Sequence, residues 1–260
     1  MSSLEYSMTI EVVTYANKKF GLFDKLVENE HGVPIKVLGM GTVWKGYLDK
    51  SRGVLAYLNK HKSDDDIVVV VDGFDTLVNK ELSGFEEKFR ATGAKVIMSA
   101  DPESFGKYVS RKIFGTCSGQ GVANAGMYAG YVREVKTVLA DVLDMSCEDD
   151  QVNMNTLCSA YDFIQVDDDR VFFENVSPMA DTKNVSSSAY FISFPGTFGF
   201  DRIRRAAREY VQFFRVDFVV LALIALSVAP KRRKPIVAAT IASLVAAYAA
   251  FAEKSCVDRA

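Results

Sequence analysis

Residues 8–16 (MTIEVVTYA) are short and rich in β-branched side chains, which predicts a first strand. Phe20, Phe23, Leu26 and Val27 then recur at helical spacing and predict a helix within 17–31. PIKVLGM predicts a second strand, GTVWKGYLDKSRG a loop, and VLAYLNKHK a helix. In DDDIVVVVDGFDTLV, the apolar residues 67–71 run without a break and end at an aspartate. Such a run suits a strand buried on both faces of a helix-covered parallel sheet. KELSGFEEKFRATG predicts a further helix and AKVIMSA a further strand, so the first hundred residues alternate as an α/β fold does.

Beyond residue 101 the alternation loosens. NAGMYAGYVREVKTVLADVLD starts with small residues and becomes helical, and EDDQVNMNTLCSAY reads as an acidic cap before another helix. DFIQVDDDRVFFENV and SAYFISFPGTFG supply late strands, with the acidic residues 167–169 read as a solvated turn.

The tail differs in kind. DRIRRAAREYVQFFR is an arginine-rich amphipathic pattern, residues 218–230 are an apolar run, KRRK follows, and residues 235–252 carry no charge. A spanning helix needs about 17–25 apolar residues, so only the second run is long enough. The expectation is a domain over 1–200 and a membrane-associated tail over 201–260. In the tail, residues 218–230 dip into the interface and 235–252 cross once, with the domain on the cytoplasmic side.

Charge sharpens this division. The net charge of −2 conceals a tail with 11 Lys/Arg against 5 Asp/Glu and a domain with 20 against 28. A domain of −8 is unsuited to nucleic acid, whose phosphates need a cationic surface. A 12% aromatic content excludes a disordered chain. The N-terminus lacks the basic start and apolar run of a secretory leader. Only His31 and His61 are present, so no paired-histidine metal motif exists, and Cys117, Cys147, Cys158 and Cys256 show no CxxC spacing. The cysteines are expected to be reduced, small hydrophobic residues.

The strongest candidate chemistry is VVVVDGFD. Open α/β sheets bind ligands beyond the carboxyl ends of their strands, where Asp72 and Asp75 stand across one tight turn. Two carboxylates there suit Mg²⁺ or Mn²⁺ on a diphosphate, although a turn and helix cap would use the same residues. Trp44 lies in a Gly-rich loop, where it serves a ligand or packs as an ordinary buried ring. In NAGMYAG, small residues allow close approach to a ligand or open a helix. In EDDQ, Asp149 and Asp150 suit a helix N-cap with acidic first-turn residues.

IEVVTYA, KVLGMGTVWKG, VVVVDGFDTLV, KVIMSAD, NAGMYAGYV and EDDQVNMN occur in that order. Together they resemble the glycosyltransferase domain of the collagen lysyl hydroxylases and its viral relatives. The resemblance covers residues 10–155 and continues more faintly to FISFPGTFG. It implies a GT-A-like, single nucleotide-binding α/β domain with a mostly parallel sheet. It also implies Mn²⁺ (or Mg²⁺) and transfer of glucose or galactose from a UDP-sugar to a hydroxyl on a glycan or protein acceptor. Carried onto this chain, it makes Asp72 and Asp75 metal ligands, and Trp44 and Phe74 (a tyrosine in the family) the uracil clamp. Thr14 becomes a neighbour of the uridine, and Asn124, Ala125 and Gly126 the floor under the sugar-phosphate. Asp149 and Asp150 become the catalytic carboxylates. The family's third metal ligand, a histidine, falls on FISFPGT, where Ser193 stands, and the acceptor-side aromatics of the family are absent from SADPESFG. These departures motivate an alternative: a non-catalytic, membrane-bound relative that binds a nucleotide sugar or serves as a scaffold.

Overall fold

A computed structural model describes residues 9–60, 63–102, 107–117, 121–176, 185–196 and 214–251. Its centre is a six-stranded sheet in the order β2-β1-β3-β6-β5-β7. The strands are β1 (Ile10–Tyr15), β2 (Ile35–Leu38), β3 (Ile67–Asp72), β5 (Val96–Ala100), β6 (Ala123–Tyr131) and β7 (Ile164–Asp167). β1 is parallel to β2 and β3, and β5 is parallel to β7, whereas β6 runs antiparallel to both β3 and β5. The sheet is therefore mixed, with five strands pointing one way and β6 reversed between them. A second sheet of three strands joins β4 (Thr76–Val78), β9 (Phe191–Ser193) and β8 (Phe173–Asn175).

β3 is buried on both faces, as its unbroken apolar run predicts, with Val69, Val70 and Val71 fully inaccessible. Val68 and Val70 join one core with residues of α2 (Leu48–Leu58), α5 (Val132–Asp144) and α6 (Asp150–Cys158). Ile67, Val69 and Val71 join the opposite core, built on Phe85 and Phe89 of α3 (Phe85–Ala91), Phe172 and Tyr190. Each such buried valine contributes on the order of 1.5 kcal/mol, and the alternation holds the strand's register against both layers.

Several expectations change. The small residues of NAGMYAG form the central strand β6, not the opening of a helix. Their size answers a crowding that hydropathy does not report: a Cβ on Gly130 would stand 2.8 Å from both the Lys95 carbonyl and a Val135 methyl. α2 begins at Leu48, within the stretch read as loop. The helix expected over 17–31 shrinks to α1 (Phe23–Val27), because Gly21 turns the chain at positive φ just before it. Asp167 is buried, and its carboxylate accepts the N–H groups of Val171, Phe172 and Phe173, so only Asp168 and Asp169 of the acidic turn are solvated.

The cysteines also depart from expectation. Cys117, just past α4 (Lys107–Phe114), is disulfide-bonded to Cys158 at the end of α6, and none of the described cysteines is free. Two residues 41 apart, with no motif between them, meet because α4 packs on α6. In the tail, α7 (Arg215–Val228) and α8 (Lys234–Phe251) are joined by a short turn and touch each other. Leu221, Leu223, Ile224, Ile236, Leu244 and Val245 are all exposed on them. Among the described residues no helix is long and apolar enough to cross a membrane, so the single crossing expected of 235–252 finds no support. Most of the arginine-rich segment and residues 252–260 lie outside the described residues.

Candidate active site

The parallel arrangement of β1 and β3 brings their carboxyl ends together, with Tyr15 opposite Asp72. The turn after β3 is tight because Gly73 lies against β1: a Cβ there would come within 2.9 Å of Ala16 Cβ and 3.0 Å of Thr14 Oγ1. Thr14 is fully buried and its hydroxyl donates to the Val71 carbonyl at 2.8 Å, which ties the two strand ends. On the far side of the turn, Ser193 of β9 donates to Asp75 Oδ1 at 3.2 Å. Asp72, Asp75 and Ser193 thus present hard oxygen donors around one turn. Among the described residues, no three His, Cys, Asp or Glu side chains cluster as a metal site.

Asp72 is held by a residue the sequence reading left in a loop. Lys50 of α2 is buried, and its Nζ donates to Asp72 Oδ1 at 2.9 Å and to the Ala125 carbonyl at 2.8 Å. Asp150 Oδ2 lies 3.4 Å from the same nitrogen. Burial alone would push the Lys50 ammonium down. Asp72 and Asp150 outweigh it and hold the group above its ordinary range. At Asp150 the balance goes the other way: burial, only partly offset by Lys50, lifts the carboxyl to about 6. Tyr128 Oη is buried in the same electrostatic neighbourhood and finds no hydrogen-bond partner among the described residues, and burial raises its phenol.

The two carboxylates of EDDQ divide. Asp149 is the N-cap of α6, accepting the N–H groups of Gln151 and Val152 at 3.0 and 3.2 Å, whereas Asp150 faces Lys50. Asn124 is buried in β6, where its Oδ1 accepts the Gly126 N–H at 2.8 Å. A Cβ on Gly126 would meet both Asn124 Oδ1 and Asp72 Oδ2 at 2.7 Å, so glycine leaves the space in which the second oxygen of Asp72 sits. Gln151 extends this set, with its amide donating to Asp101 Oδ2 at 3.0 Å.

The aromatic residues lie on more open ground. Trp44 is 43% exposed, edge-on to Tyr47 and 6.2 Å from the ring of Tyr15. It is therefore not an ordinary core tryptophan. Phe74 packs edge-to-face on Phe20 at 5.7 Å. The Tyr15 ring fills the space beside Gly39 and Gly53: a Cβ on Gly53, inside α2, would come 2.3 Å from it.

Lys50, Tyr15, Tyr128 and Gln151 escaped the sequence reading. For Lys50 a signal did exist. Positions 50, 54 and 58 form an i, i+4, i+8 stripe with Val54 and Leu58, and a lysine on such a buried stripe needs a partner.

Among solved structures, the chain is similar to a galactosyltransferase, LgtC, crystallised with donor and acceptor sugar analogues. That similarity has a TM-score of 0.44 at 13% identity and covers 72% of this chain and 87% of the other. Among curated proteins it is similar to procollagen-lysine,2-oxoglutarate 5-dioxygenase of Drosophila melanogaster, 23% identical over 155 residues. The match takes in 54% of this chain and 21% of that protein, so the chain spans about a fifth of the relative's length. The PLOD GT domain matches over residues 6–189, most of the chain and every candidate residue except Ser193. The chain belongs to the PLOD glycosyltransferase (GT) domain family.

Proposed function

We propose that this glycosyltransferase-like domain, residues 1–200, transfers a hexose from a UDP-sugar to a hydroxyl acceptor, with a divalent metal on the donor diphosphate. The observation that carries the reading is the Asp72–Lys50–Asp150 cluster at the carboxyl end of β3. The residues fit a hard cation: Asp72 and Asp75 offer carboxylate oxygens, Ser193 a hydroxyl, and the diphosphate would complete the set. When bound, such an ion neutralises the charge that develops on the leaving diphosphate. Trp44 and Phe74 would hold the uracil by stacking, which tolerates loss of the tyrosine hydroxyl at Phe74. Asn124, Ala125 and Gly126 would lie beneath the sugar-phosphate. Asp150 would orient or deprotonate the acceptor hydroxyl, while Asp149 fixes the helix that carries it. The test is UDP-glucose and UDP-galactose hydrolysis with Mn²⁺, which needs no acceptor. Turnover by the wild type, lost in Asp72→Ala and in chelator, supports the assignment; full activity in that variant refutes it.

A second reading, a nucleotide-sugar-binding relative without catalysis, is favoured by Ser193 standing where the family has a histidine ligand. Trp44 is the sole tryptophan, so UDP with Mn²⁺ should quench its fluorescence under either reading. Quenching without turnover over a panel of donors would favour the second.

The tail is proposed to associate with a membrane. α7 and α8 expose large apolar side chains and meet at the cationic residues 231–234, which suits a hairpin lying in the interface better than one crossing. Sidedness is proposed from Cys117–Cys158: thiols stay reduced in cytosol, so the bridge argues for an oxidising compartment instead of the cytoplasmic side.

A further inference from the structure

We propose that Lys50 is a positioning residue that withholds one oxygen of Asp72 from the metal and fixes Asp72 and Asp150 at a set spacing. The inference rests on the transferase reading above and assigns a role that two carboxylates alone cannot fill. Lys50 reaches from the first turn of α2 into the interior, and its ammonium touches three oxygens on three other elements. These are Asp72 Oδ1 at the end of β3, the Ala125 carbonyl in β6, and Asp150 Oδ2 at the start of α6. A buried ammonium with three oxygens around it has few alternative positions. Packing does not require it, because an apolar side chain would continue the Val54 and Leu58 stripe equally well.

Two consequences follow from the geometry. Oδ1 of Asp72 is committed to Lys50, so the oxygen left for a cation is Oδ2, beside the gap that Gly126 keeps open. Metal affinity before the diphosphate arrives is thereby held down, and the ion is bound fully only together with the donor. The same ammonium keeps the metal-side carboxylate and the sugar-side carboxylate from repelling each other apart, so the diphosphate and the sugar are gripped at a fixed separation.

The experiment measures Mn²⁺ binding to the full chain without nucleotide, for wild type, Lys50→Arg and Lys50→Met. Removing a buried cation next to the site should tighten Mn²⁺ binding in Lys50→Met on the order of tenfold, while Lys50→Arg binds as the wild type does. In UDP-sugar hydrolysis, Lys50→Met should lose kcat on the order of 10²-fold with donor KM little changed, because misplacement, not binding, is what it introduces. Thermal unfolding adds a fold-level readout: the fall in Tm of Lys50→Met should be partly reversed by adding Asp150→Asn, which removes the orphaned charge. If Lys50→Met alone does not fold, the double variant takes its place in the Mn²⁺ measurement. Unchanged or weaker Mn²⁺ binding after loss of Lys50, or purely additive Tm losses, overturns the proposal. Absence of UDP-sugar hydrolysis in the wild type would sink the transferase reading instead, and the Mn²⁺ and Tm measurements would still decide on Lys50.

Discussion

The two ends of the site are built on opposite principles. At the aromatic end, Trp44, Tyr47 and Phe74 stand on loops or at a helix start, partly open to solvent; Trp44 meets Tyr47, and Phe74 meets Phe20, through ring edges. At the charged end, Lys50, Asn124, Asp149 and Asp150 are all buried and fixed by hydrogen bonds or ion pairs on regular elements. A flat base can be recognised by surfaces that adjust. Charge that develops during bond breaking needs partners already in place, because reorganising them would add to the barrier. Side chains at the aromatic end should therefore tune affinity, and those at the charged end should govern turnover and folding together.

The largest effect expected is at Asp72: replacement by alanine should lower UDP-sugar hydrolysis on the order of 10²–10³-fold, read as initial rates with saturating Mn²⁺. It should also leave Lys50 short of a partner, so a lower Tm is expected in the same variant. Next is Asp150→Asn, with a kcat loss on the order of 10²-fold at a nearly unchanged donor KM. Trp44→Ala should do the converse. Donor Kd should weaken about 5- to 100-fold, the range of one lost base stack, with Tm unmoved because the ring is half-exposed. A large Tm loss in Trp44→Ala, or a pure affinity loss in Asp150→Asn, would break the comparison.

A smaller effect concerns pH. Asp150 titrates at about 6 in the folded protein, above its ordinary value, so between pH 4 and 6 the folded state binds more protons than the unfolded. Its contribution to stability is therefore most favourable below pH 4 and declines as pH rises through 6. The stability difference between Asp150→Asn and wild type, from urea unfolding at several pH values, should shift in favour of the variant across that window. A difference flat with pH would mean that burial does not govern this carboxyl. The smallest effect is at Phe74, where Phe74→Tyr should tighten UDP binding about two- to tenfold by adding one hydroxyl contact.

How much of this was legible in the chain depends on whether a local pattern carries the information. The run 67–71 announces a strand buried on both faces, and the aspartates that follow it do stand at a strand end. The alternation of strands and helices gives the α/β class. Strand β6 was not legible, because its residues are chosen for closeness to Lys95, Val135 and Asp72 and carry neither β-branching nor alternation. The pairing of Cys117 with Cys158 depends on how α4 meets α6, which no spacing encodes. Asp149 and Asp150 look equivalent as letters. Only the start of α6 assigns one to the cap and the other to Lys50.

Gly53 has a consequence for anyone who would alter this protein. A glycine inside α2 costs about 0.8–1 kcal/mol relative to alanine, so replacing it is an obvious step towards a sturdier variant. Here the missing Cβ is occupied space: the ring of Tyr15 lies where it would go, and that ring flanks Trp44. The helix has traded propensity for the placement of an aromatic wall one strand away. Gly53→Ala would act as a remote edit of the aromatic end, moving a ring it does not adjoin in sequence. On the proposed uracil-stacking role of Trp44, position 53 is a handle on base preference that lies outside the aromatic residues themselves.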